Sequence, residues 1–391
     1  MAPFRPDDFD EIHDRYFSSM RTSGRLQADL SGWRDTHSEA ADLMPGVPVD
    51  LSRLDRYYLD EGDALGDVKR QILLLLAAWE NRPLSGEEVT LAPSVSAANF
   101  QVLIALKRRG FNTILFETPA YAVTINQAIH AGFEVISLPT YLREDFHCSF
   151  PDELLSKHAP CIIWLTQPRM SLGFDQNLTN LADLASRAKG RAVIVIDEAT
   201  EQRFPSHLRS LMNSNNRHVI RTRGITKGLG LNGLRVACTI HDPELRDAME
   251  STQDVTGISL DYFSLTATGL LGTDVGRFKK MLVAANEQTT RLCQRLQKLV
   301  VGSPLTPSDL TNGYIGSLSL RIPPSTANET LRRRLLRYCS ENGTFVILGA
   351  SMRFAYDRDY EFIRVNYFNR EHHVIGGVES LLRFSALLVR D

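Results

Sequence analysis

Arg221-Thr-Arg-Gly-Ile-Thr-Lys227-Gly-Leu-Gly-Leu-Asn-Gly-Leu-Arg235 sets one lysine and one arginine around a loop punctuated by glycine. Its first two residues close 218–222, a short apolar and β-branched run that reads as a strand, and the lysine follows that strand end. A lysine at such a sheet end is partly desolvated, which lowers its pKa and makes the neutral amine a nucleophile toward an aldehyde. The glycines allow close backbone approach. Arg235, eight residues after Lys227, can return to the same pocket with a planar fork suited to phosphate. The competing interpretation is a solvated basic loop. A dinucleotide site fits poorly, because the Gly-x-Gly at Gly228 and Gly230 lacks the rest of that fingerprint and leaves the lysine unexplained.

Outward from this loop the chain keeps one rhythm. The runs 113–117, 134–138, 161–166, 192–196, 218–222 and 236–240 are nearly continuous in apolar residues, the pattern of strands covered on both faces. Segments 100–109, 121–132 and 178–189 between them are long enough for crossover helices. This predicts an α/β fold, a mostly parallel sheet with helices on both faces. After Asp242 the rhythm changes. In 274–301, Phe278, Met281, Leu282, Ala285, Leu292, Leu296 and Leu299 recur at helical spacing, which predicts a connecting helix. Beyond Gly302, strands at 317–321, 344–348 and 362–367 alternate with helices at 330–342 and 374–387, as in a smaller α+β C-terminal domain. The expected division is an N-terminal arm (1–45), with Phe9, Ile12, Tyr16 and Phe17 on one helical face, a large domain (46–273), and the connecting helix with the small domain (274–391).

Composition narrows the function. The chain has 391 residues, with 44 Lys plus Arg against 46 Asp plus Glu, a formal net charge of −2. The global positive field that nucleic acid or an anionic membrane would need is therefore lacking, so neither is an expected partner. The longest apolar stretch, 72–79, is far short of the roughly 20 residues that span a bilayer, and the first ten residues resemble no secretory signal. A cytoplasmic location is expected. Five scattered cysteines without C-x-x-C pairs are read as reduced, and no histidine or cysteine set has metal-ligand spacing. The basic run Arg332, Arg333, Arg334 and Arg337 lies among leucines and reads as a solvated helix face.

Thirty residues before Lys227, Asp197 follows the apolar run 192–196. Ligands bind at the carboxyl ends of parallel strands, where a carboxylate can hold a pyridine nitrogen protonated and turn the ring into an electron sink. A helix cap is the competing role. Taken in order, these pieces resemble the fold-type I pyridoxal 5′-phosphate (PLP) enzymes, in particular the class I/II aminotransferases, over about 58–364. Gly224-Ile-Thr-Lys227 through Gly233-Leu-Arg235 is similar to the family's Ser-x-Ser-Lys-x-x-Gly-x-x-Gly-x-Arg, so the resemblance implies that Lys227 holds the cofactor and Arg235 its phosphate, with Thr226 or Arg223 in place of a missing phosphate hydroxyl. Asp197-Glu-Ala-Thr200 is similar to Asp-Glu-Ala-Tyr, and Pro119-Ala-Tyr121 to Pro-x-Tyr, so Asp197 would pair with the pyridinium and the Tyr121 ring would lie on its face. Ser94-Val-Ser96-Ala-Ala98 resembles the turn whose amides and hydroxyl meet phosphate at a helix N-terminus, Ser96 being preferred to Ser94. Tyr58 resembles the tyrosine that reaches the phosphate of a neighbouring subunit, which implies a homodimer. Arg364 resembles the arginine that grips the substrate α-carboxylate, a surface arginine on an edge strand being the alternative. Trp33 and Phe354 are candidates for lining the substrate pocket or for the core.

Three positions depart from the family. Gln167-Pro-Arg-Met170-Ser-Leu-Gly173 stands where Asn-Pro-x-Asn-Pro-Thr-Gly is usual, so Met170 replaces a donor to the cofactor ring oxygen and cannot donate. Thr200 replaces the tyrosine that shares that oxygen, and Gly224 replaces a serine. The expected activity is transamination of an amino acid, with Lys227 moving the Cα proton. β- or γ-elimination, replacement or cyclisation shares the same Cα carbanion, and a non-catalytic PLP-fold regulator is the expectation of another class.

Overall fold

The computed structural model describes residues 26–32, 37–44, 64–142, 148–211, 216–256, 260–322, 328–349 and 359–388, together with Phe17, Gly46 and Phe146. Tyr58, Trp33, Phe354 and most of the expected N-terminal arm lie outside the described residues.

In chain order the first described elements are β1 (Ala28–Asp29), α1 (Ala64–Glu80), β2 (Val89–Ala92), α2 (Val95–Arg108), β3 (Thr113–Thr118), α3 (Ala122–His130), β4 (Glu134–Pro139), α4 (Asp152–His158), β5 (Cys161–Thr166), α5 (Leu178–Ala188), β6 (Ala192–Glu198), β7 (Val219–Gly224) and β8 (Ala237–Ile240). Seven of the strands form one sheet in the order β2-β8-β7-β6-β5-β3-β4. Its pairs are parallel except where β8 meets β7 and β2. The exception has a local cause. Between β7 and β8 the chain makes two short 3₁₀ turns, Lys227–Leu229 and Asn232–Leu234, and a parallel return would need a full crossover connection. The chain therefore doubles back, and the lysine loop sits at the turn.

Alternation along the strands explains the apolar runs. Ile114, Phe116, Ile162, Trp164, Val195 and Ile220 pack with Val102, Leu103 and Leu106 of α2, whereas Leu115, Ile163, Leu165, Ile194 and Ile196 pack with Leu181 and Leu184 of α5. Both faces are covered at these positions, so the strands can be apolar on each side there. Helix α5 shows the capping logic, its Asn177 side chain accepting from the Asn180 amide.

The remaining elements are α6 (Arg246–Thr256), α7 (Tyr262–Thr273), α8 (Val275–Leu299), β9 (Leu305–Pro307), β10 (Ile315–Arg321), α9 (Asn328–Glu341), β11 (Thr344–Phe345), β12 (Tyr360–Asn366) and α10 (Glu371–Leu388). Helix α8 is capped by the Asp274 side chain and buries Phe278, Met281, Leu282, Ala285, Leu292 and Leu296, the stripe visible in the sequence. A second, antiparallel sheet has the order β12-β10-β9. Its apolar face, including Leu318, Leu320, Ile363 and Val365, shares a core with Leu335 and Leu336 of α9 and Leu381 and Phe384 of α10. The strand expected over 344–348 is only Thr344–Phe345, which pairs with β1; Leu348 then bridges to Ile363. The arginine run divides as its leucines require. Arg333, Arg334 and Arg337 are exposed, while Arg332 turns back to the buried carboxylate of Glu361.

Candidate active site

Strand β6 ends on Asp197 and Glu198, and the adjacent strand β7 ends on Gly224, three residues before Lys227. The parallel register sets Asp197 beside Thr222. The two groups singled out from the sequence therefore arrive at the same end of the sheet, where ligands collect in parallel α/β sheets.

Asp197 is buried. Its Oδ2 accepts from Asn99 Nδ2 at 2.8 Å and its Oδ1 from the Ala199 amide at 2.9 Å. Burial raises its pKa, and the Asn99 hydrogen bond and the Lys227 charge oppose that rise. The same physics works in reverse on Lys227. Burial lowers its pKa, Asp197 opposes this, and the positive charges of Arg364 and Arg235 add to it. Lys227 Nζ lies 5.9 Å from the centroid of the Tyr121 ring. An amine biased toward neutrality, a carboxylate and an aromatic face thus converge.

Glycine shapes the cradle. A Cβ on Gly224 would stand 3.0 Å from the Ala199 carbonyl oxygen and 3.2 Å from Val95 Cγ2. The serine usual in the family would therefore need its neighbours to move, which gives Gly224 a physical reason. Gly313 has φ +71°, and a Cβ there would stand 2.8 Å from Pro168 Cγ and 2.9 Å from the Thr200 carbonyl oxygen. The segment before β10 can close on the loops after β5 and β6 only without a side chain at 313. The contact of Val95 with Gly224 brings the N-terminus of α2 beside the lysine strand. Ser94 caps that helix, its Oγ accepting from the Ala97 amide at 3.1 Å, and Ser96 is half-buried in the first turn. Arg235, in the left-handed region at φ 46°, ends the loop with its side chain exposed.

Arg223 does not stand in for the phosphate hydroxyl. With Arg221 it is fully buried in a cluster with Glu80 and Glu198: Arg223 Nη1 donates to Glu80 Oε1 at 2.6 Å and Nη2 to Glu198 Oε2 at 2.9 Å, and Arg221 Nε donates to Glu198 Oε2 at 2.9 Å. Alternation along β7 puts 221 and 223 on one face and Thr222 on the other. Thr226 remains beside the lysine and is buried.

Arg364 lies on β12 opposite Ser317 of β10, and although that strand is at the sheet edge the side chain is only 8% exposed, so it is not a surface arginine. Its Nε donates to the Ser31 carbonyl oxygen at 3.0 Å. Burial lowers its pKa to about 10, against the influence of Tyr121, Asp29 and Tyr314. A buried cation resting on a neutral carbonyl is suited to receive an anion. Met170 and Thr200 are half-buried; Arg169 of the same loop pairs with Glu117 at 3.2 Å.

Residues that motif reading missed surround this set. Asn99 falls between the turn at 94–98 and the crossover segment 100–109 and belongs to neither motif. Tyr314 stacks on Phe368 at 4.1 Å between centroids, and burial raises the pKa of its hydroxyl against the positive charge of Arg364, with the Asp197 charge adding to the rise. Asn312 Nδ2 donates to Asp175 Oδ1 at 2.6 Å and to Glu201 Oε1 at 2.9 Å, joining the segment before β10 to the loops after β5 and β6. An isolated asparagine or tyrosine carries no motif, so only an amide at an apolar helix position signalled Asn99.

Lys227 just beyond the end of one strand, Asp197 at the end of the adjoining one and the buried Arg364 of a second sheet are thus near enough to act on one another's charge. The chain belongs to the aminotransferase class I and II family, whose model matches residues 63–367. It is 29% identical over 177 residues to the histidinol-phosphate aminotransferase of Deinococcus radiodurans, covering 44% of this chain and 46% of that protein. With the Geobacter sp. (strain M21) protein of the same name it shares 31% over 199 residues, 50% of this chain and 52% of that one. The chain spans about half the length of the curated relatives it matches. Among solved structures, an aspartate aminotransferase double mutant from Thermus thermophilus superposes with a TM-score of 0.73 at 17% identity, covering 97% of both chains. Substrate-bound BacF from Bacillus subtilis gives 0.74 at 14%, covering 97% of this chain and 95% of that one. These two likenesses establish the fold.

Proposed function

We propose that this chain is a PLP-dependent aminotransferase acting on an amino acid. The observation that carries the reading is the convergence of Lys227, Asp197 and Tyr121 at one sheet end, with the N-terminus of α2 beside them. The donors match the cofactor group by group. Lys227 offers an amine for the aldehyde, Asp197 a carboxylate for the ring nitrogen, and Tyr121 an aromatic face. Arg235, Thr226, Ser94, Ser96 and the first amides of α2 supply positive charge and donors for phosphate. When bound, the cofactor supplies an electron sink for charge developing at the substrate Cα.

The chain's own residues do the rest. Arg364 holds the substrate carboxylate in a two-pronged grip and so fixes which Cα bond faces the ring. Lys227 Nζ takes the Cα proton, which requires its neutral form, and burial favours that form. Asp197 keeps a negative charge against the ring nitrogen. Residues 46–273 are read as the cofactor domain and 274–391 as the small domain that brings Arg364. Tyr58 is assigned to the phosphate of a second subunit in a homodimer, Trp33 to the substrate pocket, Thr200 to the cofactor's surroundings, and the protein to the cytoplasm. Among the described residues no helix is long and apolar enough to cross a membrane.

Met170 favours a second reading, since its thioether cannot donate where the family places an asparagine. Elimination, replacement or cyclisation is then the alternative outcome from the same Cα carbanion. Product analysis separates them. A 2-oxo acid formed with stoichiometric transfer of the amino group supports transamination, whereas released ammonia or a cyclised product overturns it. Histidinol phosphate belongs among the donors tested, because the curated relatives are named for it.

A further inference from the structure

Helix α2 faces the sheet with Val95, Ala98, Val102, Leu103 and Leu106, and in that stripe Asn99 places a fully buried amide. A buried primary amide is costly unless its groups are paired. Here all are. Its Nδ2 donates to Asp197 Oδ2 at 2.8 Å and to Thr124 Oγ1 at 3.1 Å, and its Oδ1 accepts from Thr222 Oγ1 at 2.7 Å. Thr222 is the register partner of Asp197 on the neighbouring strand, so both side chains leave the sheet toward α2. Reversing the amide would put its oxygen against the Asp197 carboxylate, so this network admits one orientation only. The second carboxylate oxygen is fixed independently by the Ala199 amide.

We infer that Asn99, held by Thr222 and Thr124, is the positioning residue that keeps the Asp197 carboxylate charged and aimed, and thereby sets the protonation of the cofactor's ring nitrogen. This role rests on the cofactor reading above. An apolar side chain would pack as well in the stripe of α2 but would leave Asp197 with one donor fewer in a site whose burial already opposes its charge. Asn99 carries no charge itself, so its donation holds at any pH at which the protein is folded.

The test uses the full chain loaded with PLP carrying ¹⁵N in the ring, together with Asn99→Leu and Thr222→Val. In wild type the ring nitrogen resonates as the protonated pyridinium. In Asn99→Leu the resonance moves toward the unprotonated position and PLP affinity falls roughly tenfold, the scale of one hydrogen bond to a charged group. kcat falls while the KM for the amino donor is retained. Thr222→Val, which leaves Asn99 in place but removes the donor to its oxygen, shifts both readouts the same way by less. Should Asn99→Leu not fold, Thr222→Val decides. A nitrogen resonance and affinity equal to wild type in the folded variants overturn the role of Asn99 alone. A wild-type protein that binds no PLP overturns the cofactor reading and this role with it.

Discussion

Lys227 is held in tension between burial, which favours the neutral amine, and Asp197, which favours the charged one. Because its folded-state pKa lies below the ordinary 10.5, the unfolded chain binds the extra proton between the two values. Stability of the cofactor-free protein should therefore rise with pH in that window. Replacing Lys227 by Met removes the cost, so Lys227→Met should melt higher than wild type at neutral pH. The gain should shrink as pH approaches 10.5, and thermal melts across pH check it. Arg364 makes a different prediction. Arg364→Lys keeps a charge but loses the planar fork, so the KM for the amino donor should rise at least about tenfold while PLP binding is retained. Steady-state kinetics with a spectral PLP titration separate those outcomes.

At the scale of elements, the buried cluster ties the C-terminus of α1 to the ends of β6, which carries Asp197, and β7, which leads into Lys227. Burial alone would raise the pKa of Glu80, but Arg221 and Arg223 outweigh it and hold the carboxyl down at about 2. The contribution is fully present above the unfolded value of 4.5 and is lost as pH falls toward 2, which makes this cluster an acid-sensitive joint. Glu80→Gln leaves two buried guanidinium groups undercompensated and should cost about 3–5 kcal/mol at neutral pH. Its stability should also fall less steeply below pH 4.5 in denaturant titrations. The cluster also marks where the sequence was legible. Strands β3, β5 and β6 announce themselves because both faces are apolar. Strand β7 reads as a strand too, yet its two arginines look like a basic loop, since charges paired inside a protein have no sequence period. Strand β2 went unread because four residues, two of them half-buried, carry too little pattern. The antiparallel turn of β8 was decided by connection length rather than by its own residues. Within the candidate site, Lys227, Asp197, Tyr121 and Arg364 stand out in the sequence because each sits in a motif. Asn99, Asn312 and Tyr314 were not, because their roles arise only when distant segments meet.

For the whole molecule, two sheets supply the two halves of the candidate site, the seven-stranded one with Asp197 and, just beyond β7, Lys227, and the three-stranded one with Arg364. Segment 311–314 fastens them, the Thr311 and Asn312 amides donating to the Gly173 carbonyl oxygen at 2.7 and 3.0 Å. Gly313→Val should prevent that approach, lowering kcat/KM without abolishing PLP binding, as activity assays beside cofactor titration would show. If Tyr58 serves a neighbouring subunit, mixing Lys227→Ala with Tyr58→Phe protein should restore activity that neither homodimer has in full. Most directly, the full chain can be incubated with PLP, reduced with borohydride and mapped by peptide mass spectrometry. The cofactor should be fixed on Lys227, and Lys227→Ala should carry none at that peptide. Labelling spread over surface lysines, or equal labelling of the two proteins, would contradict the assignment of this lysine and the activity built on it.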